Sequence, residues 1–166
     1  MSACDVVVIG GGCVGASVAY HLAEAGCTDV VLLEANTLAS GSTSKAAGGI
    51  RMQHGDSLNT QLAHRSLREF GTFADLTGTE IYFKQVGYLF LLDSEIDLEL
   101  FRASAQMQRE LGIPVDLLSP QDAADLVPQL NADGLVGASF CPLDGYATPE
   151  AVVQGYAAAA RRRGVR

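Results

Sequence analysis

The sequence has no C-x-x-C pair, no internal repeat, no low-complexity linker, and no apolar run close to the roughly 20 residues that a membrane-spanning helix needs. Each absence removes a class of protein. The four cysteines, Cys4, Cys13, Cys27 and Cys141, fit no zinc-ligand spacing. The three histidines, His21, His54 and His64, are scattered and suggest no nucleophile–base pair. Positive charge is also scarce. Eleven Lys and Arg stand against 19 Asp and Glu, and the net charge of −8 argues against nucleic acid or an anionic membrane surface as a partner. The N-terminus has no basic stretch and its apolar segment is broken by three glycines, so it does not read as a secretion signal. The expectation is a cytoplasmic protein with reduced thiols.

What remains is a chain of 166 residues, 48% apolar and 18% charged, enough for a globular domain with a core. It is organised around Asp5-Val6-Val7-Val8-Ile9-Gly10-Gly11-Gly12-Cys13-Val14-Gly15-Ala16. A short apolar run leads into Gly10-x-Gly12-x-x-Gly15 and then into an Ala-rich helical pattern. A second apolar run, Val30-Val31-Leu32-Leu33, ends at Glu34, 19 residues past Gly15. Strand, Gly-rich turn, helix, strand and acid in this order form a dinucleotide-binding fingerprint. Gly10 allows a tight turn, Gly12 lets backbone approach a pyrophosphate, and Gly15 lets the helix lie close to the sheet. The helix start turns N–H groups and a positive dipole end toward phosphate. Glu34 is placed to accept from ribose hydroxyls and to repel a 2′-phosphate, which disfavours NADP. The unit itself is equally suited to NAD and FAD.

Further along, residues 14 to 25 read as a helix packing through Val14, Val18, Leu22 and Ala25, stopped by Gly26. The stretch Ala39 to Arg51 is small and polar. It reads either as a surface loop or as a second wall of the cofactor site, with Ser42 and Thr43 as hydroxyl donors and Ala47, Gly48 and Gly49 leaving room for a flat ring. Residues 57 to 74 read as an amphipathic helix through Leu58, Leu62, Leu67, Phe70 and Phe73. Residues 81–85 and 87–92 read as two antiparallel neighbouring strands, which a plain doubly wound sheet would not contain. A helix is expected over 95–111 through Ile96, Leu100, Ala103, Met107 and Leu111. Strands are expected over 115–118 and 135–140. Ser119-Pro120 and Thr148-Pro149 mark helix starts. Arg161-Arg162-Arg163 reads as cations facing the negative end of a helix, and Val165 as the start of another strand.

The chain resembles the N-terminal part of the FAD-dependent amine and amino-acid oxidoreductases, the superfamily of D-amino-acid oxidase, sarcosine oxidase, glycine oxidase and dimethylglycine dehydrogenase. The resemblance is carried by Val8 to Gly15, Glu34, Gly41-Ser42-Thr43, Ala47-Gly48-Gly49-Ile50-Arg51, Val86-Gly87-Tyr88-Leu89 and Asp144-Gly145-Tyr146-Ala147-Thr148-Pro149. It implies an α/β fold: a Rossmann-like FAD-binding βαβ unit with a parallel sheet, incomplete, over 1–80 and 143–166, and part of an antiparallel-sheet substrate domain over 81–142. It implies FAD, held at Gly10, Gly12, Cys13, Val14 and Gly15, at Glu34 and Ala35, at Ser42 and Thr43, and near Lys45, Ala47, Gly48 and Gly49. Arg51 matches the position where sarcosine-oxidase-like members bind the substrate carboxylate; an arginine paired with an internal acid is the other reading. Covalent members carry a histidine where this chain has Lys45, so non-covalent FAD is expected. The implied reaction is oxidation of the C–N bond of a small amino acid or secondary amine by hydride transfer to flavin. No catalytic base or nucleophile is assignable. Family members are much longer, so the expectation is a fragment or half of a split enzyme, whose partners would be the small-molecule substrate and the missing C-terminal half or another subunit. The alternative is a truncated FAD-binding module inactive by itself.

Overall fold

Val6-Val7-Val8-Ile9 and Val30-Val31-Leu32-Leu33 pair in parallel, Val6 opposite Val30 and Ile9 opposite Leu33. They are β1 (Val6–Ile9) and β2 (Val30–Leu33), and between them lies α1 (Cys13–Glu24). This is the right order for a parallel pair, which needs a crossover helix rather than a turn. A computed structural model describes residues 3–166. The chain divides into two units. The first takes in the chain up to Gly48, Phe70–Phe83 and Ala147–Arg166; the second takes in Gly49–Glu69 and Lys84–Tyr146. The backbone passes between them at 48/49, 69/70, 83/84 and 146/147.

After β2 the first unit carries a 3-10 turn, Thr43–Lys45. The chain then runs through β3 (Gly49–Ile50), α2 (Ser57–Gly71), α3 (Phe73–Thr77), β4 (Tyr88–Leu92), α4 (Glu95–Glu110), β5 (Asp116–Leu118), α5 (Pro120–Leu126), β6 (Gly137–Cys141), β7 (Gly145–Tyr146) and α6 (Pro149–Arg162).

In the first unit α1 packs on α6. The contact face differs from the expected one. Val14 is 74% exposed and Val18 is also exposed, while Ala16, Ala19, Tyr20 and Ala23 are buried. The cause is the partner helix, which buries Val153, Tyr156, Ala157, Ala159 and Ala160. Small residues let two helices approach closely, so alanines rather than valines take the interface. Tyr20 and Tyr156 lie 5.3 Å apart, and the Phe73 ring meets Tyr156 edge-on at 4.7 Å. The arginine run ends α6 in part as expected. Arg162 donates to the Thr77 carbonyl at 2.5 Å, and Arg163 donates to Ala159 O and lies 4.9 Å over the Tyr20 ring. The expected continuation at Val165 is present as two bonds in a parallel ladder beside β2: Arg166 N to Val30 O, 3.0 Å, and Leu32 N to Arg166 O, 2.8 Å.

In the second unit β4, β6 and β5 form an antiparallel sheet in the order β4-β6-β5, and β3 pairs antiparallel with β7. Residues 81–85 do not form a strand pairing with 87–92. A hairpin needs about two turn residues, and Val86 alone separates the two runs. The chain therefore continues in one direction. Lys84 bridges to Tyr146, and Tyr88 to Leu92 pair with Cys141 to Gly137. The helical faces agree with expectation only in part: Leu67 is buried as expected, but other positions differ. Leu58 and Leu62 on α2, and Ile96 and Leu100 on α4, are exposed; Thr60, Leu67, Leu98, Ala105 and Gln108 are buried. The starts of α4 and α5 follow the sequence closely: Ser94 accepts from Asp97 N, and Ser119 with Asp122 makes a capping box. Thr148 makes no side-chain cap, although Pro149 does open α6.

Candidate functional site

The first unit builds a cradle from β1, the Gly-rich turn and the N-terminus of α1. Gly10 has φ +104°, a conformation that favours glycine, and its N–H donates to Leu33 O at 2.8 Å. A Cβ on Gly15 would lie 1.9 Å from Gly10 O, so helix and turn are as close as backbone allows. Gly12 is the N-cap of α1 and has no side chain with which to cap it. Thr43 supplies the missing group from the following loop: its Oγ1 accepts the Cys13 N–H at 3.1 Å. The first bond within α1 is Ala16 N to Gly12 O, so the Val14 and Gly15 N–H groups ahead of it have no acceptor in the helix.

Glu34, at the end of β2, closes the other side. Its carboxylate accepts Gly11 N–H at 2.7 Å and Asn36 N–H at 2.9 Å. These two donors, the Asn36 amide first, hold its carboxyl below the usual value. The following loop is tied to the same turn, since Ala39 N donates to Gly11 O at 2.9 Å and Ser44 N donates to Ala39 O at 3.0 Å. Within this unit the structure thus brings together Gly10, Gly12, Cys13, Val14, Gly15, Glu34 and Thr43. Ala35, Ser42, Lys45 and Ala47 lie exposed along the loop. Gly48 has φ +79°, and a Cβ there would meet Ala147 O at 2.2 Å.

Donors from a helix start, a turn without side chains and a carboxylate on the turn's own amide suit a dinucleotide. The N–H groups match its phosphates, and the carboxylate can accept from a ribose hydroxyl. Among the described residues no group of three or more His, Cys, Asp and Glu comes together as a metal site, and no helix is long and apolar enough to cross a membrane.

The second unit carries Gly49 and Arg51. Gly49 pairs with Tyr146, and Ile50 with Gly145. Arg51, next along, points its exposed guanidinium over two rings of β4, 5.2 Å from Phe90 and 5.9 Å from Tyr88. Among the described residues no carboxylate is paired with it.

Behind Arg51 lies a polar network, of whose polar side chains the sequence motifs include Asp144 but not Gln53 or Ser139. Asp144 is fully buried, accepts Met52 N–H at 2.8 Å, and accepts from Gln53 Nε2 at 3.2 Å. Gln53 also donates to Tyr88 O at 2.9 Å and accepts the Ser139 hydroxyl at 2.6 Å. Burial pushes the Asp144 carboxyl up, against the Met52 and Gln53 donors. The sequence signal was the stretch Asp144-Gly145-Tyr146-Ala147-Thr148-Pro149, which carries part of the family resemblance but gives Asp144 no role of its own.

A family model described as "FAD dependent oxidoreductase" matches residues 5–166. The chain is 34% identical over 161 residues to the mitochondrial pyruvate dehydrogenase phosphatase regulatory subunit of Mus musculus, covering 97% of this chain and 18% of that protein. It is 33% identical over 161 residues to mitochondrial dimethylglycine dehydrogenase of Rattus norvegicus, covering 97% and 19%. The crystal structure of L-proline dehydrogenase from P. horikoshii superposes with a TM-score of 0.89 at 34% identity, covering 98% of this chain and 43% of that one. The chain therefore spans under a fifth of the length of these two curated relatives.

Proposed function

The chain belongs to the FAD-dependent oxidoreductase family, and on that premise we propose that it binds FAD non-covalently and serves the oxidation of a small amino acid or secondary amine of the sarcosine, glycine or dimethylglycine kind. The observation that carries this reading is the closed Gly-rich turn, with Glu34 on the Gly11 amide and Thr43 on the Cys13 amide. The Val14 and Gly15 N–H groups and the dipole of α1 would hold the pyrophosphate. The Thr43 hydroxyl, already accepting from Cys13, keeps its own proton to donate to a phosphate oxygen. Glu34 would accept from the adenosine ribose beside Ala35. Ser42, Lys45, Ala47, Gly48 and Gly49 would follow the cofactor toward its ring. The loop carries Lys45 and no histidine, which favours a non-covalent site.

Bound FAD would supply the acceptor for the hydride that leaves the carbon beside the amine. Arg51 would bind the substrate carboxylate. Its guanidinium is exposed and stacked, and no acid among the described residues is paired with it, so a carboxylate can take two parallel hydrogen bonds from it. The relative from Rattus norvegicus, named a dimethylglycine dehydrogenase, supports an N-methylated amino acid as substrate.

A second reading, a cofactor-binding module without turnover of its own, is favoured by the similarity to a protein named as a regulatory subunit. The two separate in one experiment. The chain is mixed with FAD, freed of excess, and titrated anaerobically with sarcosine, dimethylglycine and glycine while the visible spectrum is followed. Retained flavin that bleaches supports the enzyme. Retained flavin that stays oxidised supports the module. A protein that retains no flavin overturns both.

A further inference from the structure

Arg51 is held from both neighbours. On one side Ile50 is fixed by its register with Gly145; on the other, Met52 N–H is fixed by Asp144 Oδ1 at 2.8 Å. Both anchors belong to one short segment, Asp144-Gly145. That segment has little freedom of its own. Asp144 O accepts Gly87 N–H at 2.8 Å, Asp144 N donates to Cys141 O at 3.3 Å, and a Cβ on Gly145 would lie 1.9 Å from Lys84 O. The other Asp144 oxygen holds Gln53, whose amide also joins Tyr88 O and the Ser139 hydroxyl. Tyr88 begins β4, whose Tyr88 and Phe90 rings carry the guanidinium. One buried carboxylate therefore ties the backbone beside Arg51 to the strand on which its side chain rests.

Burying a carboxylate is unfavourable unless donors compensate it, and an apolar residue of similar size would often be no less stable. Here the buried carboxyl takes the amide next to Arg51, that of Met52, and the Gln53 side chain that also bonds the Tyr88 carbonyl, with the Cys141 thiol as a further donor. We propose that Asp144 is a positioning residue, which fixes the Arg51 guanidinium on the Tyr88–Phe90 platform so that it meets a ligand carboxylate without first having to be ordered. This rests on the reading of Arg51 as the carboxylate site. A ligand that must order a long arginine side chain loses affinity, so pre-ordering appears as tighter binding.

Asp144→Asn is nearly isosteric but places an amide NH2 against one of the two donors, and so undoes the clamp at Met52 or at Gln53. The test uses the full chain without added FAD, and acetate as the probe. The Arg51 Nε–H resonance, identified by its loss in Arg51→Lys, is followed by NMR during an acetate titration. In the same samples amide exchange is read at Met52 and across β4–β6. The expected result is an acetate response in the unsubstituted chain, weakened about tenfold in Asp144→Asn, with faster exchange at Met52 and unchanged protection across β4–β6. Equal acetate affinity in Asp144→Asn overturns the positioning role and leaves the Arg51 reading intact. No acetate response of Arg51 in the unsubstituted chain overturns the Arg51 reading itself and the positioning role with it. Should Asp144→Asn not fold, Ser139→Ala decides, because it releases only the Gln53 carbonyl. A weakening of about threefold is expected, and none overturns the proposal.

Discussion

The Thr43 hydroxyl accepts the Cys13 N–H at 3.1 Å, and so caps helix α1 from 30 residues downstream where the helix's own N-cap is a glycine. Thr43 is buried, and Thr43→Val keeps the shape while leaving that N–H without its acceptor. Stability should fall by about 1–2 kcal/mol, and FAD retention should weaken about tenfold if, as proposed, the same hydroxyl donates to a phosphate. Thr43→Ser should restore most of both. Thermal melts and a flavin fluorescence titration are the measurements, and a Thr43→Val protein that equals the unsubstituted chain in both would contradict the cap.

Gly15 and Gly26 give a contrast between close approach and backbone conformation. A Cβ at Gly15 meets Gly10 O at 1.9 Å, whereas at Gly26, with φ +92°, it meets nothing within 4 Å. Gly15→Ala should cost about 3 kcal/mol by forcing helix and turn apart. Gly26→Ala should cost about 1 kcal/mol from its conformation alone. Urea denaturation midpoints would separate the two, and flavin retention should be lost only in Gly15→Ala.

Glu34 supplies two acceptors to two backbone amides, which hold its carboxyl below the ordinary value. Glu34→Gln turns one acceptor into a donor facing an N–H group. FAD affinity should fall about tenfold. The lowered carboxyl also sets the pH behaviour. Its contribution is complete above the ordinary carboxylate range and is lost only as pH falls through the lowered native value. Difference titrations of the two proteins, carried from neutral pH to well below the ordinary carboxyl value of 4.5, would show the separation closing only at the acid end.

Cys141 is fully buried, and burial first, then the nearby Asp144 charge, pushes its thiol from 9.0 up to about 11. In the unfolded chain the thiol ionises near its ordinary value, while the native chain still holds the proton. Between 9.0 and about 11 the native state thus binds more protons, and stability falls as pH rises. Cys141→Ser should flatten this alkaline loss in a Tm-against-pH series. The exposed Cys13 should react with a thiol reagent before Cys141 does.

The part of this molecule legible in the sequence was the part made by neighbours in the chain. The strand, Gly-rich turn, helix, strand and Glu34 lie within 30 residues, and each signals itself through local rules. The cap at Ser119 was legible for the same reason, in a serine followed by proline and an acid. The packing face of α1 was not, because hydrophobicity points to Val14 and Val18 while the facing alanines of α6 select Ala16 and Ala19. Nor was the Asp144–Gln53 bond, which joins residues 91 positions apart. The pairing of β4 with β6 was missed because the nearest apolar run seemed the natural partner, and loop length rather than propensity forbade it.

The four places where the backbone passes between the two units bear on how this chain can be inherited and dismantled. Neither unit is an uninterrupted stretch, so no single cut releases either of them whole. A gene fission, a circular permutation or a protease nick at one connection leaves each unit still threaded to the other by the remaining connections. Closing the first unit also joins residues as distant in the chain as Leu32 and Arg166, and pairings of such separation form slowly.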